Sequence, residues 1–585
     1  MAAERKPSRR TSAWAAALAC IGLPLLAAPC TARAFTPADA NTGGEANQAG
    51  PFANPFPDAT TPNVGSETAG AVNGTPVPGS LMPPDYRYQQ GAEPLVTGGL
   101  PAPGFTILPQ ITLQEEFNDN VLQTEANRRW DFITLLTPSV IIGANTPRLN
   151  LDLQYAPTLE YYARTSSQNM VSQQLSGVGS LIVVPDTLIV NARVFATVTP
   201  TNGGYGGAGF GAVAPVSALT AVNSFSYGGQ TAGISHQGTS QIYGESVSPY
   251  LIHRFGSFGT GTLGVTLSET SVSNTVQGGG EQATTGEVSG QFQSGPVLGR
   301  VQNTASFDAS YTDGSGVLSN QQQEMVNDRV GYALFHQLHV FGELGYEDIR
   351  YGGAFRERIN DATWRLGFTF TPNRKSQITV SYGHEQGITS FAASVNYALT
   401  SRTTLAASYS ESVTTYLQQV AAGINQAGVN QNGVPINATT GLPLNVVNGA
   451  LAVQDTVYRT RTFYAGLTTL LDRDTIVASV DHTEETPLST AAGAGFAQRE
   501  TTGGFLWTHA LNSRLTSTAS LSYGTTSVAG FSGDSRLFGA SAQLTDALTR
   551  TISTSASYLY FRRNSTAPGF SMYENVVFVG ITKRF

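Results

Sequence analysis

From Phe105 onward the chain alternates apolar and polar positions in segments of roughly 10–16 residues, a rhythm that holds to the end. Side chains two apart on a strand share a face. In the clearest segment Leu149, Leu151, Leu153, Tyr155, Leu159 and Tyr161 share one face, and Asn150, Asp152, Gln154, Thr158 and Glu160 the other. Leu188, Val190, Ala192, Val194, Ala196 and Val198 likewise oppose Asn191, Arg193, Thr197 and Thr199. Leu338, Val340, Leu344 and Tyr346 oppose His339, Glu343 and Glu347, while Trp364, Leu366, Phe368 and Phe370 oppose Thr363, Arg365, Gly367 and Thr369. These segments outrun the usual strand of ~5–6 residues. A soluble sandwich shows the same alternation with its apolar face packed inward. One unbroken pattern of this length favours a barrel that turns its apolar face to lipid.

The connections alternate in length. Short turns fall near 145–147, 185–186, 255–257, 294–296, 336–337, 372–374, 401–402, 472–473, 511–513 and 546–547. Longer ones fall near 119–130, 164–169, 200–238, 273–283, 313–320, 352–360, 418–456, 487–497, 529–533 and 563–572, with a tight one at Gln386-Gly387. Short turns on one side and long loops on the other is the outer-membrane rule. The count predicts an all-β, antiparallel, up-and-down transmembrane barrel of about 22 strands, give or take two. An even number places both ends in the periplasm. Pro138, Pro157 and Pro249 fall inside predicted strands, where proline cannot donate to the ladder, so bulges or other strand boundaries are expected there.

Composition narrows the class. Charged residues make up 12% of the chain, about half the ~25% of a typical soluble protein. Outside the N-terminal segment no apolar run reaches the ~20 residues of a membrane helix. Only helices and closed barrels pair every backbone polar group within a bilayer. Residues 1–34 read as a signal peptide: Arg5, Lys6, Arg9 and Arg10 precede the apolar stretch Ala13 to Ala28, and Ala32-Arg33-Ala34 precedes the cleavage point. Both cysteines, Cys20 and Cys30, lie in that segment, so the mature chain has no disulfide, thiolate metal site or cysteine nucleophile. Its balance is 27 basic against 39 acidic side chains, which argues against a nucleic-acid partner. Residues 35–104 hold 12 of the 29 prolines with no periodicity, and are expected to be a disordered periplasmic leader. Residues 105–585 are the expected barrel.

The chain closes on Y-E-N-V-V-F-V-G-I-T-K-R-F, with Val577, Val579, Ile581 and Phe585 on one apolar face. This ending resembles the C-terminal signal read by the bacterial barrel-assembly machinery, with Lys583 where an apolar residue is usual. Further stretches resemble the putative β-barrel porin 2 family of proteobacterial outer membranes. They are Phe117-Asn118-Asp119-Asn120-Val121, then residues 248–259 and 343–353, then Trp364 to Phe391, and finally 397–415. The resemblance runs in order through the barrel and implies an outer-membrane barrel, in a family often associated with exopolysaccharide loci. It implies no solute and no binding residues.

Candidate chemistry is sparse. Residues 204–209 and 259–264 both read G-x-G-x-x-G, but neither opens a helix after a strand as dinucleotide binding requires. No Walker A, H-E-x-x-H or G-x-S-x-G sequence occurs. His384-Glu385, and His482 with Glu484 and Glu485, lie at predicted outer strand ends without a nucleophile. His336 and His339 flank a turn without metal-ligand partners. No catalysis, cofactor or metal is expected. The functional surface is the lumen wall, where Asp152, Glu160, Arg193, Glu343, Glu347, Arg365 and Asp481 are the candidates for tuning solute selectivity. A barrel this size leaks if open. Loop 200–238, loop 418–456 or the leader is expected to fold in and narrow it. Tyr205, Phe210, Tyr227, Tyr416 and Trp130 are candidates to stack on sugars, or to serve as interface aromatics.

The expected function is a channel in the cell outer membrane, passing small solutes or exporting an extracellular polysaccharide. The alternative is a non-conducting surface barrel for adhesion or envelope structure. The expected partners are outer-membrane lipid, the barrel-assembly machinery and a polysaccharide.

Overall fold

The computed structural model describes residues 104–200, 239–275, 279–353, 357–425, 427–429, 435–437, 451–489, 495–529 and 533–585. The expected signal peptide, the leader up to residue 103 and the loop 201–238 lie outside the described residues.

The described residues form a barrel of 22 strands, numbered in chain order. The first seven are β1 (Gly104–Asn118), β2 (Asp131–Asn145), β3 (Leu149–Tyr155 and Thr158–Tyr162), β4 (Met170–Ser172 and Leu175–Val184), β5 (Leu188–Pro200), β6 (Thr239–Arg254) and β7 (Gly259–Val272). There follow β8 (Glu281–Ser294), β9 (Val301–Gly314), β10 (Gln321–Phe335), β11 (Leu338–Arg350), β12 (Arg358–Asn373), β13 (Ser376–Glu385), β14 (Ile388–Ala398) and β15 (Thr403–Thr414). The rest are β16 (Tyr458–Leu470), β17 (Asp474–Pro487), β18 (Gln498–Ala510), β19 (Leu515–Val528), β20 (Gly533–Asp546), β21 (Ile552–Ser565) and β22 (Met572–Arg584). One helix, α1 (Tyr416–Asn425), and a short two-stranded ribbon interrupt the connection between β15 and β16.

Every strand pairs antiparallel with its neighbours in sequence, and β1 pairs with β22, Gln110 opposite Arg584 through Asn118 opposite Val576. The sheet therefore closes on itself and leaves no free edge, which satisfies the backbone without water. The hairpin rhythm seen in the sequence is the observed one, with short turns at one end and longer connections at the other.

The prolines are accommodated by register. Val140 pairs with Tyr155 and Leu136 with Leu159, so Pro138 stands opposite Pro157. The two missing N–H donors fall at one place in the ladder, and β3 breaks there. Pro249 leaves a gap on the β7 side without shifting register, because Val247–Leu267 and Tyr250–Gly264 keep one alignment.

The two faces differ as the alternation requires. Exposed large apolar residues line one face, among them Leu344, Leu366, Tyr382, Phe391, Leu521 and Val579. The other face is rich in buried Thr, Ser, Gln and Glu. Asp328 breaks the apolar face in mid-strand, where Asn303 Nδ2 donates to it at 2.6 Å.

Candidate functional site: the mouth at the long-loop end

The helix α1 starts at a capping box. The Gln418 N–H donates to Thr415 Oγ1 at 3.2 Å, and the Thr415 N–H donates back to Gln418 Oε1 at 3.0 Å. Two donors that helix geometry leaves unpaired are thus satisfied reciprocally. Tyr416, Leu417, Val420 and Ile424 recur at helical spacing and are the buried residues of α1.

That stripe packs on strands almost halfway round the ring. α1 leaves from β15 and meets β5, β6 and β7. One apolar cluster joins Leu417, Val420 and Ile424 to Ile242 of β6, Val272 of β7, Ala283 of β8 and Ile349 of β11, with Val317, Leu318, Tyr351, Val413, Val453 and Val457. Side chains from such distant strands meet only across the barrel's interior, which identifies the polar face as the inner one. These contacts lie at strand ends, so the helix spans the mouth. β6 makes room for it: a Cβ on Gly244 would lie 2.0 Å from Ile424 Cδ1.

Polar bonds fasten the same connection. Gln419 Nε2 donates to Glu485 Oε1 at 3.0 Å, and Gln498 Nε2 donates to Glu485 Oε2 at 2.6 Å. Gln498 also holds Ala452 through its N–H and carbonyl, at 2.8 and 3.0 Å. Gln454 does the same for Phe496, and the Val317 N–H donates to Asp455 Oδ1 at 3.1 Å. The expectation that the 418–456 loop folds in is met for α1 and for residues 451–457; most of 426–450 is outside the described residues.

The first long loop, 119–130, closes the seam between β1 and β22. Asp119 accepts from the Asn575 N–H at 2.8 Å and from Asn575 Nδ2 at 2.7 Å, while Arg128 bonds Asp119 at 2.5 Å and lies over the Tyr573 ring. Asn120 Nδ2 donates to the Tyr573 carbonyl at 3.0 Å. Val121 packs inward on Ile133, Leu135 and Tyr162. The Asn118-Asp119-Asn120 stretch that carries part of the family resemblance is thus the clasp of the barrel.

All seven candidate lumen residues lie on the inner face by register. Glu160 bonds Tyr162 and Ser172, at 3.4 and 3.3 Å, and Asp481 accepts from Thr502 at 2.6 Å. Asp152 stands opposite Val178, and Val178 opposite Arg193. Glu343 and Arg365 are brought together as cross-strand partners. Their ion pairs nevertheless run elsewhere: Glu343 to Arg329 at 2.9 Å, and Arg365 to Glu385. Glu347 accepts from the Gly387 N–H at 3.2 Å. Neither Arg329 nor Gln498 stands out in the sequence, and Glu485 stands out there only as part of the strand-end group with His482 and Glu484, not as the acceptor that fastens α1. Glu485 stood in plain alternation with Asp481, but its partner lies on α1, which the strand pattern does not show.

Val577, Val579 and Ile581 lie exposed on the outer face, as does Phe585, while Val576 and Phe578 point inward against Leu559. Lys583 Nζ donates to Thr551 Oγ1 at 2.9 Å. Of the aromatics considered for sugar stacking, Tyr416 is buried in the mouth cluster and is not available at a surface. Trp130 sits among Phe117 and Phe132 with Arg164 over its ring. Tyr205, Phe210 and Tyr227 lie outside the described residues. Residues 259–264 form the start of β7 and precede no helix. His384 Nδ1 lies 2.9 Å from Thr389 Oγ1, and His482 Nδ1 2.7 Å from Thr501 Oγ1.

With closure and clasp defined, the last six strands can be placed among known proteins. Residues 472–585 match the family model for putative beta-barrel porin 2. The porin 2 match starts at the turn before β17 and runs through β22, the strand that closes the seam. The stretches that carry the resemblance by sequence lie before it. No curated protein matches the chain. Among solved structures the chain is similar to the siderophore receptor PiuA from Acinetobacter baumannii, at 9% identity and TM-score 0.46, covering 83% of this chain and 82% of that one. It is also similar to the ferric-catecholate import receptor Fiu from E. coli K12 in its open form, at 9% identity and TM-score 0.45, covering 81% of each chain. The FrpB iron transporter from Neisseria meningitidis gives 10% identity and TM-score 0.44, covering 83% of each. Likenesses at this level assign no ligand to this chain.

Proposed function

We propose that this chain is a solute channel of the bacterial outer membrane whose mouth is narrowed by its own β15–β16 connection. The observation that carries the reading is the contrast of faces in a closed ring. The outer face is apolar and exposed, the inner face is polar, and one helix crosses the inner side at the mouth. A polar inner wall is what a water-filled pore needs, and an apolar outer band is what lipid needs. The porin 2 match of the last six strands supports the same reading.

Passage is passive and involves no catalysis. The solute is a small hydrophilic molecule or an extracellular polysaccharide. Outer-membrane lipid faces the apolar band, and the assembly machinery reads the stripe Val577, Val579, Ile581 and Phe585. The apolar packing of α1 across the mouth favours a second reading, a barrel held shut that serves adhesion or envelope structure.

Single-channel recording of the purified full chain in planar bilayers separates the two. Discrete steps that scale with salt support the channel. A folded, heat-modifiable barrel with no steps, in the natural sequence and in a variant with α1 dislodged, supports the closed surface barrel instead.

A further inference from the structure

The wall of the mouth is not level. β12 has 16 residues and β15 has 12, but β13 and β14 between them have 10 and 11. β13 and β14 are joined by Gln386-Gly387 alone, with φ of 54° and 71°, the two left-handed residues of a tight hairpin turn. At this low point lies a cavity of about 540 Å³, lined by Arg358, Ile359, Asn360, Asp361, Gln386, Gly387, Ile388 and Leu488. That volume falls within the ~300–1,000 Å³ of small-molecule sites.

The cavity abuts the helix that spans the mouth. Ile359, Ile388 and Leu488 form its apolar side and also pack against the cluster around α1. Gln386 Oε1 accepts the Val413 N–H at 2.6 Å, two residues before the helix cap. A solute resting here lies against the flank of that cluster.

The polar side of the cavity carries one carboxylate, Asp361, and one guanidinium, Arg358. Asp361 is about half exposed, with His384 Nε2 3.7 Å away. Glu347 lies behind the turn, fully buried, with Oε1 on the Gly387 N–H and Oε2 without a hydrogen-bond partner. Glu385 is offset by Arg365. The cation in the lining, Arg358, is turned outward to Asp348, which it shares with Arg350. That outward group carries one positive charge in excess; among the described lining residues the carboxylate without an arginine partner is Asp361, and a partly walled cavity focuses its field.

We propose that this cavity is the outer vestibule of the channel, and that Asp361 makes it attract cations over anions. The proposal rests on the channel reading and adds to it a place of entrance and a sign of charge.

The test is the reversal potential of the full chain in a planar bilayer under a potassium chloride gradient. The natural sequence is expected to prefer K⁺. Asp361→Asn is expected to lower the K⁺/Cl⁻ permeability ratio at least twofold. Asp186→Asn, at an exposed turn on the opposite end, is expected to leave it unchanged. Ile388→Trp, which fills the cavity, is expected to lower conductance by half or more while the barrel stays heat-modifiable. Steps with an anion preference, or an Asp361→Asn ratio equal to that of the natural sequence, overturn the vestibule and leave the channel standing. No steps from the natural sequence or from a variant with α1 dislodged overturn the channel and the vestibule together.

Discussion

The β5–β8 side and the β13–β14 side share one mouth and shape it in opposite ways. On the first, Ile242, Val272 and Ala283 are apolar at inner positions where alternation calls for polar residues, and Gly244 leaves room for Ile424. On the second, the strands are short, the turn is minimal and a cavity remains. The difference teaches that inner-face polarity reports what covers a strand. Where α1 seats, the wall is built like a protein core; at β13–β14 Ile359 and Ile388 only edge that core, and a cavity stays open beside it.

The largest expected effect comes from removing the seat of the helix. A leucine at Gly244 would place its Cβ 2.0 Å from Ile424 Cδ1, and its remaining atoms in the same space. The β6 ladder does not depend on that side chain. Gly244→Leu is expected to dislodge α1 and raise single-channel conductance several-fold, with the heat-modifiable barrel retained. Unchanged conductance in a folded variant would mean that α1 does not limit the passage. Glu485→Ala is a milder attack on the same helix, from β17, since it strips an acceptor from both Gln419 and Gln498. Leaving buried donors unmet costs ~1–3 kcal/mol. The open fraction is expected to rise by roughly tenfold, as 1.4 kcal/mol corresponds to tenfold. Equal open fractions would remove Glu485 from the fastening.

The other side is broken differently. Gly387 holds φ 71°, which a β-branched residue adopts poorly, and Ile359 Cγ2 lies 3.3 Å from the position of a Cβ there. Gly387→Val is expected to cost about 1–2 kcal/mol. The readout is a lower temperature for loss of the compact electrophoretic form, with the open fraction as in the natural sequence. A large rise in open fraction would show that the turn and the helix act as one unit.

Much of this was legible in the sequence because a barrel repeats one local rule. Period-two alternation and the rhythm of turns are enough to specify a ring of about 22 strands. What the rule does not contain is contact between strands far apart in the ring. Pro138 and Pro157 looked like separate defects, and only their register shows one shared break. The helix α1 hides within a predicted loop because strands dominate its surroundings. Yet its signal was present, in Thr415-x-x-Gln418 followed by apolar residues at 416, 417, 420 and 424. Ion pairs such as Glu343–Arg329 are choices among several inner-face neighbours, and alternation alone does not rank them.

That overlooked cap supplies the smallest and most selective test. Thr415→Ala removes the hydroxyl that accepts the Gln418 N–H, and with it the geometry that returns Gln418 Oε1 to the Thr415 N–H. Such a loss costs ~1 kcal/mol of helix stability. It touches no strand bond and no residue of the low wall. If docking of α1 sets the open fraction, that fraction should rise about fivefold, with permeability ratio and barrel stability unchanged. Thr415→Ser keeps an accepting hydroxyl and should restore the natural value. A rise that serine does not reverse would point to the lost methyl and its packing, not the cap. No rise in either variant, beside a clear effect of Glu485→Ala, would show that the cluster and the glutamate hold the segment whether or not its first turn is formed.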